Sequence, residues 1–90
     1  MKILICAPTS REYRAMRYAL DNASGLKHSY DLVEVGIGKA LSSAGVARAL
    51  TLATEQYDML AVVGFAASAL GRKQGDIVMP CRAIHHDAII

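Results

Sequence analysis

The chain has 90 residues, 53% of them hydrophobic, and balances 10 Lys and Arg against 8 Asp and Glu for a net charge of +2. That length suits one small domain, and the composition is that of a folded α/β protein, not of a disordered chain. The balanced charge leaves no electrostatic footprint for nucleic acid or an anionic membrane, and no apolar run approaches the ~18 residues that a membrane-spanning helix needs.

Residues 2–6 (KILIC) form a short apolar run, which reads as a buried strand. Pro8 ends it. Thr9 with Glu12 three residues later fits a capping box, and a helix is predicted to run to Asn22. Its apolar face is Tyr13, Met16 and Leu20. Arg11, Arg14 and Arg17 recur every three residues and read as a solvated face. Residues 22–25 supply the stop.

Residues 30–35 read as a second strand. Gly36-Ile37-Gly38 then turns into a second predicted helix over 39–55. Ala40, Ala44, Gly45 and Ala47 make one of its surfaces thin enough to lie close to a sheet, and Leu41, Leu50 and Leu52 add bulk. Residues 58–63 (DMLAVV) read as a third buried strand, ending in Gly64 and the small residues 66–68. Residues 71–76 make a polar turn. Residues 77–79 open a fourth strand that Pro80 interrupts, which places it at an edge or a bulge because proline cannot donate to the ladder.

The order β-α-β-α-β-β predicts a three-layer α/β domain with a mostly parallel sheet and right-handed crossovers. The chain ends on a strand-like apolar pair, so the domain is expected to continue beyond it and the sheet here to be truncated. Cys6 and Cys81 each sit in an apolar run and are expected to be buried, small apolar residues. No secretory leader is visible, so the expected location is the cytoplasm, with both thiols reduced.

Ligands of an open parallel sheet bind beyond the carboxyl ends of its strands. Here those ends lead to Thr9, Ser10 and Glu12, to Gly36-Ile37-Gly38, and to residues 64–68. Gly36-x-Gly38 looks like the start of a dinucleotide fingerprint, but Leu41 stands where the third glycine would be needed for helix–strand packing. His85, His86 and Asp87 suggest a metal, yet adjacent strand residues point to opposite faces and no four-ligand set exists. There is no G-x-S-x-G nucleophile elbow. Neither a cofactor nor a metal is expected.

Four segments taken together resemble the purine nucleoside phosphorylase/nucleosidase superfamily: MKILICAPTSREY, VGIGKALSSAGVARAL, YDMLAVVGFAASAL and GRKQGDIVMPCRAIHHD. The resemblance covers most of these 90 residues and about the first half of that family's domain. It implies a phosphorylase/hydrolase-like sheet and cleavage of the N-glycosidic bond of a purine nucleoside, in a homo-oligomer. By motif, Glu12 would orient or deprotonate the attacking water. Ile37 would line the pocket for the 5′ substituent, and Phe65, Ala66 and Ala67 would flank ribose and base. Gly75-Asp76 and His86-Asp87 would be structural.

Relatives often carry a hydroxyl residue for phosphate or water where this chain has Phe65. Together with Glu12, this favours hydrolysis over phosphorolysis. Methylthioadenosine-like nucleosides are the first implied substrate and futalosine-type nucleosides the second. The family's ribose-binding Met-Glu pair and base-protonating Asp belong to its second half. The alternative from another class is a non-catalytic nucleoside-binding or assembly module.

Overall fold

The computed structural model describes residues 1–66 and 71–83. Its elements run β1 (Lys2–Ala7), α1 (Ser10–Asn22), β2 (Ser29–Glu34), α2 (Lys39–Leu52) and β3 (Met59–Val62). The sheet order is β2-β1-β3 and both pairings are parallel. This is an α/β fold.

β1 is the central strand because its sequence is apolar on both faces. Ile3, Leu4, Ile5, Cys6 and Ala7 are all buried, as a strand flanked by two others and covered on both sides must be. Ile3 faces Tyr30 on β2 and Met59 on β3, and Cys6 faces Val33 and Val62. The ladders run one step past the strands, with Val35 N donating to Ala7 O and Val63 N to Cys6 O. They therefore end together, and the carboxyl ends of all three strands open on one side of the molecule.

Alternation along β1 assigns the helices to opposite faces. Leu4 and Cys6 pack with Val35, and Val46 and Ala49 of α2 cover them, with Val33 and Tyr57 alongside. Ile3, Ile5 and Ala7 point the other way, the side on which Met16 of α1 and Val63, just past β3, line one cavity. Each crossover returns the chain to a parallel strand, as the β-α-β order requires.

α1 begins as its sequence predicts. Thr9 is the N-cap, and its side-chain oxygen accepts from Glu12 N at 3.4 Å. Tyr13, Met16 and Leu20 are half-buried. Arg11 and Arg14 stand in solvent, and Arg17 pairs with Asp21 one turn on at 3.3 Å.

α2 has glycine at both places where the backbone demands it. Gly36 and Gly38 hold φ of 103° and 88° in the turn before it, a region that side chains disfavour. Gly45 lies so close to β2 that an added Cβ would stand 2.5 Å from Val35 O. The helix ends at Leu52, three residues before the predicted Glu55. Ala53 is already extended, and Glu55 and Asp58 are drawn to the start of β1, to Lys2 Nζ at 3.2 Å and Lys2 N at 2.7 Å.

Two expectations fail in the last part of the chain. Residues 77–79 form no strand. Ile77 and Met79 are 98% and 93% exposed, and Pro80 directly after them offers no N–H to a ladder. Cys81 is exposed, since it lies on no packed element, whereas Cys6 is buried and burial pushes its thiol pKa up. Both cysteines are free.

Candidate functional site

Glu12 sits in the first turn of α1, where the Thr9 cap fixes the start of the helix. A reciprocal capping box would turn its carboxylate back to the Thr9 amide. Instead the side chain crosses to the end of β3, where Oε1 accepts from Phe65 N at 3.5 Å. Oε2 is buried and finds no hydrogen-bond partner among the described residues. Buried polar atoms in folded proteins nearly always have partners, so an orphaned carboxylate oxygen marks a place where water or a ligand donor belongs.

Glu12, Ala15, Met16, Val63, Gly64 and Phe65 line a small, open cavity of about 180 Å³. Met16 follows Glu12 by four residues and so shares its helix face. The apolar surroundings leave the carboxylate as the polar group facing the space. This cavity holds a few waters but lies below the ~300–1,000 Å³ of ordinary small-molecule pockets.

A second space, about 880 Å³, lies on the other face of the sheet between α2 and β3. Ile37 lines it together with Pro8, Gly38, Ser42, Leu50 and Val62. Pro8 also lines this larger space, and its Cδ would lie 3.7 Å from a Cβ on Gly64.

The five predicted site residues are therefore only partly assembled. Glu12 and Phe65 meet through a hydrogen bond. Ile37 is at the same end of the sheet but in the other cavity, and 68% exposed. Ala66 is exposed and lines neither space, while Ala67 lies outside the described residues, as do His85, His86 and Asp87. Sequence reading overlooked Met16, Val63 and Pro8 as cavity walls. The i, i+4 spacing of Glu12 and Met16 was an available signal, whereas the approach of Val63 to α1 depends on tertiary packing.

Comparison with protein-family models, with curated proteins and with solved structures finds no match to this chain. Among the described residues no three His, Cys, Asp or Glu side chains come together to hold a metal ion. No described helix is long and apolar enough to cross a membrane.

Proposed function

We propose that this chain supplies the water-activating part of a purine nucleosidase with a phosphorylase-type fold, acting within a longer or homo-oligomeric unit. The observation that carries the reading is the Glu12 carboxylate. It reaches the carboxyl ends of β1 and β3, where Oε1 accepts from Phe65 N, and its other oxygen is without a partner among the described residues.

In such a reaction a water oxygen bonds to C1′ of the ribose as the bond from C1′ to the purine nitrogen breaks. The electron pair of that bond leaves with the purine, which takes up a proton, and the ribose carries transient oxocarbenium character. Glu12 accepts the proton that the water loses, a general-base role. Phe65 offers no hydroxyl to bind phosphate, which favours water as the nucleophile. Ile37 would meet the 5′ substituent from the larger cleft, and Ala66 and Ala67 would border ribose and base. The protonating group for the purine is assigned to the remainder of the active unit. A methylthioadenosine-like nucleoside is the proposed substrate, and two free thiols suit a cytoplasmic location.

The test is adenine release from methylthioadenosine, followed by reversed-phase chromatography, with the native protein at its native mass and without phosphate. Release is expected, and Glu12→Gln should lower it by about 10²- to 10⁴-fold, the usual worth of a general base. No release from the wild-type protein would overturn the reading. Nucleoside binding without release would support the non-catalytic alternative, which the exposed Phe65 ring (68%) favours as a stacking surface.

A further inference from the structure

Gly64 follows β3 and faces Glu12 across the small cavity. A Cβ placed on it would stand 3.3 Å from Glu12 Oε2, 3.6 Å from Glu12 Cδ and 3.7 Å from Pro8 Cδ. All three are side-chain atoms. Gly64 is also absent from the glycines with positive φ. Neither the backbone angle nor a backbone approach requires glycine here, in contrast to Gly38 and Gly45. The space that the missing side chain leaves is the space beside the carboxylate.

We infer that Gly64 is a positioning residue, which seats the Glu12 carboxylate so that Phe65 N can hold it. A methyl group at position 64 meets the far end of a flexible side chain, so the carboxylate yields by a few tenths of an ångström and the backbone stays where it is. The bond from Phe65 N is already 3.5 Å long, at the limit beyond which a contact is no longer a hydrogen bond. A small displacement is therefore enough to release the carboxylate from its anchor. The consequence for catalysis rests on the reading of Glu12 as the base, but the seat itself does not.

The test follows the backbone amide of Phe65 in the ¹H–¹⁵N spectrum of the full chain through an acid titration. In the wild-type protein this resonance should move as Glu12 takes up its proton, and Glu12→Gln should abolish the movement. Gly64→Ala should weaken it clearly, while the amides of Ile3, Leu4, Ile5 and Cys6 keep their positions. A Phe65 amide that titrates as in the wild type despite Gly64→Ala, or that never follows Glu12, would overturn the inference. So would an unfolded Gly64→Ala, because the added methyl meets only side-chain atoms.

No nucleoside enters this measurement, so it stands or falls apart from the nucleosidase reading. Where the native protein releases adenine, Gly64→Ala should lower kcat about 10-fold with KM unchanged, less than the ~10²-fold that a full 1 Å misplacement can cost. Loss of the seat with kcat intact would leave Gly64 as the holder of Glu12 and remove Glu12 from the chemistry.

Discussion

Tyr57 is the residue whose ionisation the fold changes most clearly. Its hydroxyl donates to Asp31 Oδ2 at 2.6 Å. That bond, then partial burial, then the negative charge of Asp31, push its pKa from 10.0 up to about 12. Lys2 Nζ stands 5.3 Å from the centre of the ring and 3.8 Å from the Asp31 carboxylate, and joins the two. Between pH 10 and about 12 the folded chain keeps a phenolic proton that the unfolded chain has lost. Stability must then fall as pH rises through that window. The contribution of Tyr57 is complete below pH 10 and gone above about 12. Because other groups titrate there as well, the readout is the difference in urea midpoint between wild type and Tyr57→Phe, which should shrink from pH 9.5 to 12. Phenolate absorbance should show a phenol that ionises only near pH 12 and that Tyr57→Phe removes. If Tyr57→Phe removes no such late-ionising phenol, the bond to Asp31 does not persist in solution. The cluster caps the amino end of the strands, opposite Glu12, so Tyr57→Phe is expected to leave any adenine release unchanged.

At the scale of elements, α2 is set by one glycine. In an ordinary helix Gly45→Ala would stabilise by about 1 kcal/mol through propensity. Here the new Cβ would stand 2.5 Å from Val35 O and 2.7 Å from Val35 Cα, and neither is the tip of a mobile side chain. The helix or the end of β2 must move, a change that typically costs about 1–3 kcal/mol, so the clash outweighs the propensity gain. Urea denaturation of Gly45→Ala should show a net loss, and a variant more stable than wild type would mean that α2 does not lie this close to β2. Of the expected thin surface of α2 only Gly45 lies against the sheet: Ala40, Ala44 and Ala47 are exposed, as are Leu41, Leu50 and Leu52, and Val46 and Ala49 cover the core instead, whereas β1 was legible as an unbroken apolar run. The start of α1 was legible at Thr9, but only half of the predicted capping box forms, since Phe65, 53 residues on from Glu12, draws the carboxylate away. Spacing within a helix cannot reveal a partner from another element. Residues 77–79 show the opposite failure. Their apolar run has the composition of a strand, but strand formation needs a neighbouring edge, and a triplet followed by Pro80 has little ladder to offer. The site was legible to the same extent. Glu12 and the end of β3 were found from the ends of the strands, and the separation of Ile37 into another cavity was not, because it depends on which face of the sheet each helix covers.

At the scale of the molecule, the sheet formed by the described residues has two unlike edges. β2 carries Asp31 and Glu34 and is bordered by His28, the kind of charged and polar edge that discourages further pairing. β3 has no charge from Met59 to Val62, and its residues pair only with β1 among those described. Met59, Leu60 and Val62 are 47%, 43% and 68% exposed. Apolar strands left open in this way are templates for pairing with another chain, and a second copy meeting β3 across a two-fold axis would extend the sheet to six strands, with the charged β2 edges outermost. The open face of β3 is short, four residues, with Ile37 and Leu50 lining the cleft beside Val62, so such a contact is small against the ~800 Å² per partner of a standard stable interface. Association is therefore expected to be reversible and concentration-dependent. Sedimentation velocity over a hundredfold range of concentration should show the sedimentation coefficient rising, and Val62→Lys, which puts a charge on the open edge, should hold the protein monomeric without unfolding it because Val62 is mostly exposed. If Val62→Lys associates as the wild type does, β3 is not the contact. If the wild-type chain stays monomeric throughout, the homo-oligomeric proposal fails, and the active unit must be completed by other means than pairing at this edge.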